Sequence, residues 1–370
     1  MIILGIETSC DESAAAIMEN DERLLSSVVN SQIEVHGKYG GVVPELASRK
    51  HIENIHPVVM ESLSQAEISL EQVDGIAVTR GPGLTGSLLV GVSFAKALAM
   101  VRKIPYTGID HMAGHLLSVH LSEKKPPFPY IALVASGGHS SIYAVYGPRD
   151  FKLIGQTRDD AAGEAFDKVA KILGLGYPGG PVISRLAEKG NAEKISFPRS
   201  WLEPDSFDFS FSGIKTAVAS YVNNNISPDK TGKLPSNGPF GHLPCHDSPS
   251  PQSAVQAGTV KGAPSIVHDI CASFQEAIID VLIEKTIRAA LHYKIDNIAI
   301  CGGVAANNRL RMLMKKQGQG SGLNIFMAPV QYCTDNAAMI ALAGYFYLPE
   351  NGLYSYDMDV YSRVVLTERI

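Results

Sequence analysis

The chain has 370 residues, about two and a half times the ~150 of a usual domain, so two lobes are expected. Hydrophobic residues make up 45 % and charged residues 19 %, which excludes a disordered or fibrous chain. Lys and Arg number 32 against 37 Asp and Glu, a net charge of −5 that excludes a generally basic nucleic-acid binder. Any RNA contact must then come from a local patch or a partner.

Met1 to Ile6 runs directly into a polar, acidic segment with no basic region, so no signal peptide is expected. Ile3-Leu4-Gly5-Ile6-Glu7-Thr8-Ser9 reads as an apolar strand ending in small polar residues, with a second strand at 14–17. Asp74-Gly75-Ile76-Ala77-Val78-Thr79-Arg80-Gly81 is a buried strand entering a glycine turn. Residues 84–101 are apolar but broken by Lys96 and rich in Gly, Ser and Ala; a buried helix is expected, not a membrane span. A strand then precedes His111, and Asp110 is placed to cap the helix that His111 begins. From residue 131 the plan starts again. Ile131-Ala132-Leu133-Val134-Ala135-Ser136-Gly137-Gly138 and Ile142-Tyr143-Ala144-Val145 repeat the first pair of strands. Asp296-Asn297-Ile298-Ala299-Ile300-Cys301-Gly302-Gly303 echoes 74–81, and 324–328 before Asp335 echoes the strand before His111. Between these copies lie a helix at 163–173, a Tyr177-Pro178-Gly179-Gly180-Pro181 turn, the segment 205–222 and a polar stretch. That stretch, 223–265, has 22 Pro, Gly, Ser or Asn among 43 residues and reads as a flexible loop.

The repeat predicts two α/β lobes related by a pseudo-twofold, at 1–120 and 128–370. The second would carry a helical insertion at 155–222 and a flexible low-complexity insertion at 223–265. A single doubly wound domain with chance likeness between short apolar strands is the alternative. In the duplicated case the glycine turns face one cleft, where backbone N–H groups are free for phosphate oxygens. The five cysteines, Cys10, Cys245, Cys271, Cys301 and Cys333, are odd in number and form no CxxC, which fits a reduced, cytoplasmic setting.

His111 and His115 are spaced i, i+4, so both imidazoles lie on one helix face about a turn apart. The symmetric junction supplies Asp335, from the opposite lobe, and two histidines with one carboxylate suit iron(II) or zinc. A metalloprotease would need a glutamate beside the first histidine, where Met112 stands. His242 and His246 share the spacing, but Pro244 and the flexible stretch make that a coincidence. Three glycine turns, at Gly81-Pro82-Gly83, Ser136-Gly137-Gly138 and Gly302-Gly303, suggest a phosphate cradle, while no GxxxxGK[ST] or GxGxxG occurs. Glu164 and Asp167 are i, i+3 neighbours, expected to project together toward ribose hydroxyls or simply into solvent.

In their order, Ile6-Glu7-Thr8-Ser9-Cys10-Asp11-Glu12, Thr79-Arg80-Gly81-Pro82-Gly83, His111/His115, Ser136-Gly137-Gly138-His139 and Tyr177-Pro178-Gly179-Gly180-Pro181 resemble one family. Phe209-Ser210-Phe211-Ser212-Gly213-Ile214-Lys215 and Gly302-Gly303-Val304-Ala305-Ala306-Asn307 complete the series. The chain resembles, nearly end to end, the bacterial tRNA N6-adenosine threonylcarbamoyltransferases of the TsaD type, once labelled O-sialoglycoprotein endopeptidases. The resemblance implies the duplicated fold of actin, heat-shock ATPases and sugar kinases (ASKHA). It implies transfer of threonylcarbamoyl from threonylcarbamoyl-adenylate to N6 of adenosine 37 in tRNAs reading ANN codons. By similarity, His111, His115 and Asp335 hold one divalent metal, iron(II) before zinc or magnesium. Val134, Ala135, Ser136, Gly137, Gly138, Asp167, Gly180 and Asn307 hold the adenylate, and ATP or AMP would fit the same cleft. Asp11 and Glu12 are the catalytic candidates, orienting the incoming amine or the metal shell. Implied partners are tRNA, a smaller paralogue of the same fold (TsaB type) and a P-loop ATPase (TsaE type), with no membrane. Local basic groups at Arg102-Lys103, Lys124-Lys125, Arg309, Arg311 and Lys315-Lys316 would help hold RNA. An ATP-dependent small-molecule kinase of the same fold, or a scaffold paralogue without catalysis, is the rival.

Overall fold

The computed structural model describes residues 1–226, 265–348 and 357–363. The first half opens with β1 (Ile2–Glu7), β2 (Glu12–Glu19) and β3 (Arg23–Ser31), then α1 (Ile33–Gly37) and α2 (Pro44–Gln65). β4 (Gly75–Gly81), α3 (Thr85–Arg102), β5 (Tyr106–Asp110) and α4 (His111–Leu117) follow. The second half repeats three strands, β6 (Tyr130–Ala135), β7 (Ser140–Gly147) and β8 (Asp150–Gln156). Helices α5 (Ala162–Leu173), α6 (Gly179–Ala187), α7 (Ser212–Asn225) and α8 (Ser265–Tyr293) come next. β9 (Asn297–Cys301), α9 (Asn308–Gly320), β10 (Asn324–Met327) and α10 (Ala337–Tyr347) end the series.

Two five-stranded sheets result, ordered β3-β2-β1-β4-β5 and β10-β9-β6-β7-β8. Read from the other edge, the second has the order of the first, so the repeat seen in the sequence is a duplicated sheet. In the first, β1 runs antiparallel to β2, with Leu4 opposite Ile17, and parallel to β4, with Leu4 opposite Ile76. In the second, β6 runs parallel to β9, with Leu133 opposite Ile300.

The near-continuous apolar runs of β1 and β4 follow from burial on both faces. Leu4, Ile6, Ile76 and Val78 pack against Ile55, Val58 and Leu63 of α2 and Val92 and Ala95 of α3. Their alternates Ile3 and Ala77, on the opposite face, pack against Met339, Ile340 and Leu342 of α10. A side chain at Gly5 would collide with the Ala337 carbonyl, so α10 seats directly on the β1 backbone. α3 differs from the expected buried helix. Leu88, Val92, Ala95 and Ala99 are buried, but Leu89, Met100 and Val101 are exposed, so it is buried on one face only. Its length and composition would also suffice to cross a membrane.

By contacts, the chain forms two compact units: Met1–Tyr130 with Ala144–Lys152 and Phe326–Ile370, and Ile131–Tyr143 with Leu153–Ile325. This differs from a division at 128. The C-terminal segment groups with the first unit because α10 completes the apolar layer over β1 and β4. Of the insertion expected at 223–265, Asn223, Asn224 and Asn225 end α7 and Ser265 begins α8. The remainder, past Ile226, lies outside the described residues, as do Cys245 and the His242/His246 pair.

Candidate metal centre and glycine loops

β5 delivers Asp110 to the start of α4, where its Oδ1 accepts from the Met112 and Ala113 backbone N–H groups at 2.8 and 3.2 Å. This is the cap expected from the sequence, and it leaves His111 and His115 one turn apart with ring centroids 4.6 Å apart. Asp335 reaches them from the turn before α10, which Asn336 shapes by donating to the Thr334 carbonyl at 2.7 Å. Asn336 also caps α10 through the Met339 N–H. Asp335 Oδ1 stands 3.4 Å from His111 Nε2 and 3.2 Å from His115 Nε2. All three residues belong to the first unit, whereas the sequence reading drew them from opposite lobes. α10 carries Asp335 back to the first sheet.

The three donor atoms lie within 4.8 Å of one another. A divalent ion bound at ~2.1 Å holds neighbouring donors about 3–3.5 Å apart, so the spacing fits one ion. The surroundings fit as well. Glu7, fully buried at the end of β1, faces His111 Nδ1 through Oε2 at 3.0 Å. The Thr79 hydroxyl donates to the same oxygen and the Ser9 N–H to Oε1, each at 2.6 Å. With an ion bound, the Nδ1 proton would be directed at Glu7 and the Nε2 lone pair would be left for the ion, the arrangement a metal-ligating histidine needs. Burial opposes charge on His111, yet the carboxylates of Asp335 and Glu7 outweigh it and hold its pKa well above the ordinary value. Burial likewise opposes ionisation of Asp335, and His111 and His115 override it, holding that carboxyl well below the usual range. The three side chains are compatible with one divalent ion.

Asp11 ends the turn from β1 into β2, and Glu12 is the first residue of β2. Glu12 accepts from the Ser31 hydroxyl at 3.2 Å. Burial, then the negative charges of Asp11 and Asp335, raise the Glu12 pKa well above the usual range. The turn is fixed by His51, which faces the Cys10 carbonyl through Nε2 at 3.0 Å and the Ser13 hydroxyl through Nδ1 at 2.7 Å. His51 and Glu7 were given no role in the sequence reading. The available signal was an acidic residue closing an otherwise apolar buried strand.

The expected adenylate residues all fall in the second unit. Val134 and Ala135 close β6, and the loop turns back through a Ser136 N–H to His139 carbonyl bond of 2.7 Å. The Gly163 N–H at the start of α5 donates to the Ser136 carbonyl at 3.1 Å, which fixes Gly137 against that helix end. A Cβ at Gly137, Gly138 or Gly180 would meet nothing within 4 Å, so these backbones are open to a ligand. Gly302 is different. Its φ of +88° and the Ala135 carbonyl beside it exclude any side chain. Asp167 Oδ1 accepts from the Gly179 N–H at 2.7 Å, and Asn307 donates to Ser184 of α6 at 3.4 Å and to Gln275 at 2.7 Å. Asp167, Gly180 and Asn307 are thus linked through α6. Asp167 thus turns to the start of α6, while Glu164 pairs with Lys168 of its own helix at 2.9 Å. Of the basic groups, Arg309 forms a two-bond pair with Glu276, and Lys125 donates to the Asp21 carbonyl.

The family model described as tRNA N6-adenosine threonylcarbamoyltransferase, TsaD, matches residues 23–342. The enzyme of that name from Desulfotalea psychrophila is 50 % identical over 363 residues, 98 % of this chain and 97 % of its own. The one from Anaeromyxobacter sp. strain Fw109-5 is 48 % identical, covering 93 % of each chain. Among solved structures, component A of the Acidaminococcus fermentans (R)-2-hydroxyglutaryl-CoA dehydratase matches with TM-score 0.50 at 16 % identity, over 94 % of this chain and 98 % of that one. Full-length HypF matches with TM-score 0.55 at 12 % identity, over 93 % of this chain and 46 % of that one. These two speak for the fold alone, the duplicated ASKHA architecture that the resemblance implies. The His111–His115–Asp335 cluster and the open glycine loops thus stand in a chain that belongs to the tRNA N6-adenosine threonylcarbamoyltransferase family.

Proposed function

We propose that the chain transfers the threonylcarbamoyl group of threonylcarbamoyl-adenylate to N6 of adenosine 37 in tRNAs reading ANN codons, releasing AMP. The observation that carries this reading is the His111–His115–Asp335 cluster, its histidines buried and its carboxylate partly exposed, in a member of a tRNA-modifying transferase family. Those three side chains would hold one divalent ion. Two imidazoles and one carboxylate favour iron(II), with zinc or magnesium as alternatives. When bound, the ion supplies positive charge to the oxygens of a mixed anhydride, making AMP a better leaving group. Glu7 keeps the His111 ring oriented through Nδ1.

The loop from Val134 through Ala135 and Ser136 presents the backbone N–H groups of Gly137 and Gly138 to the adenylate phosphate. Gly180 and Asn307 bound the nucleoside. Asp167, which already fixes the start of α6, has the acceptor capacity of a carboxylate to take a ribose hydroxyl as well. Asp11 orients the incoming N6 amine beside Glu12. A C–N bond forms at the carbamoyl carbon, the C–O bond to phosphate breaks, and AMP leaves with the electron pair while an N6 proton is released. ATP or AMP would occupy the same loops.

The partners of this reading are tRNA, a smaller TsaB-type paralogue and a TsaE-type P-loop ATPase, in the cytoplasm and away from membranes. The test is to incubate the protein and these partners with threonylcarbamoyl-adenylate and unmodified tRNA, then analyse digested nucleosides by mass spectrometry. Modified adenosine with matching AMP is expected. Steady phosphorylation of a small metabolite with tRNA untouched would overturn the reading in favour of a kinase.

A further inference from the structure

Residues 357–363 lie beyond the stretch matched by the family model and yet lie against the strands leading to the metal cluster. The Tyr361 N–H donates to the Arg80 carbonyl at 3.0 Å, and the Arg80 guanidinium sits 5.4 Å from the Tyr361 ring centre. Met358 and Val360 pack against the apolar layer of α2 and α3, and Lys96 donates to the Met358 carbonyl. The receiving surface has two bare glycines. A side chain at Gly81 would collide with the carbonyl and ring of Tyr361, and one at Gly108 with the sulfur of Met358. The floor of this groove is thus shaped to the segment.

At its end, the Tyr361 hydroxyl donates to Asp110 Oδ2 at 2.6 Å. The other oxygen of Asp110 caps α4 at Met112 and Ala113. Asp110 is 6 % exposed, so little solvent competes for Oδ2. A carboxylate held at both oxygens has one rotamer, and that rotamer sets where α4 begins and how its His111/His115 face is turned.

We propose that residues 357–363 form a strap whose Tyr361 is a positioning residue for the metal-binding helix, acting through Asp110. The role rests on the metal reading of His111, His115 and Asp335. It assigns to the chain beyond the matched family region a part in setting metal affinity.

The test uses the full chain with cobalt(II) alone as the probe, whose visible absorption reports donor geometry. Tyr361→Phe removes one hydroxyl and keeps the ring on Arg80. It is expected to weaken cobalt(II) binding about tenfold, the lower end of what outer partners of a ligand contribute, and to shift the visible bands. The metal-free melting temperature should change little. Val360→Ala, which loosens the strap without touching Asp110, should lower the melting temperature and leave cobalt(II) affinity near wild type. Equal affinity and an unchanged spectrum in Tyr361→Phe would overturn the proposal. So would an affinity loss in Val360→Ala as large as in Tyr361→Phe, since packing alone would then account for it. Wild-type protein that binds no cobalt(II) overturns the metal reading, and this role with it. Wild-type binding with an indifferent Tyr361→Phe overturns this role only.

Discussion

β1 and β6 occupy the same place in sheets of the same order, yet their ends carry opposite chemistry. β1 ends in Glu7, a buried carboxylate that stands against His111 beside a cluster of two histidines and Asp335 compatible with one divalent ion. β6 ends at Ala135 and turns through Ser136 to Gly137 and Gly138, whose backbone is open and beside which helix α5 starts. A duplicated fold supplies two equivalent strand ends, and side chains alone make one compatible with a cation while the other leaves glycine backbone open. Fold likeness therefore says little about function here; the residues at the strand ends say most of it.

The largest effect should come from removing the shared carboxylate. Asp335→Asn keeps the volume and loses the charge that faces both Nε2 atoms. Bound metal, measured by elemental analysis, should fall to background, and adenosine modification should drop about a hundredfold or more. Full metal content in this variant would end the idea that the first half is the cation side.

The second half is probed through two glycines with opposite expectations. Gly302→Ala places a Cβ on a backbone of φ +88° and against the Ala135 carbonyl, so a loss of about 2–4 kcal/mol in unfolding free energy is expected. Gly137→Ala meets nothing, so stability should stay within about 0.5 kcal/mol while AMP binding weakens. Equal stability changes in both, by urea titration, would show that the loop is not an open ligand surface on a rigid support.

Glu7→Gln sharpens the comparison at β1. The amide retains a hydrogen-bonding group for Thr79, but it no longer supplies the charge that orients His111 Nδ1. Metal affinity should fall by about 10–100-fold, the usual effect of losing an outer partner of a histidine ligand. An unchanged affinity, read by cobalt(II) titration, would leave Glu7 as a buried structural carboxylate only.

Much of this was legible in the chain. The duplicated strands show as apolar runs that end in small residues, because burial on both faces leaves that pattern. His111 and His115 were legible because helical spacing and a preceding Asp fix their face before any tertiary contact forms. The home of Asp335 was not. The run at Ala337–Tyr347 announces a buried helix but not which sheet buries it, and only the seat at Gly5 on β1 decides that. Nor could i, i+3 spacing tell that Asp167 turns to Gly179 while Glu164 pairs with Lys168 of its own helix, since the first of these partners belongs to a later element.

The smallest expected effect concerns His120, away from both strand ends but in the first unit. Its ring stacks on Phe128 at 5.1 Å and lies 5.7 Å from Tyr130, and Nε2 is buried with no hydrogen-bond partner among the described residues. Burial, reinforced by Lys125, lowers its pKa to about 4. The unfolded chain, with an ordinary histidine near 6.5, binds the extra proton first as pH falls. Stability from this group is therefore present above about pH 6.5 and lost progressively between 6.5 and 4. The ring is partly exposed, so the loss from pH 7 to pH 5 should be only about 1–2 kcal/mol. His120→Gln cannot titrate, and its unfolding free energy should change between pH 7 and pH 5 by that much less than wild type. Identical pH slopes in urea titrations of the two proteins would mean that His120 protonates in place. The first unit would then tolerate a buried cation away from its carboxylates, and the contrast drawn at the strand ends would lose its electrostatic basis.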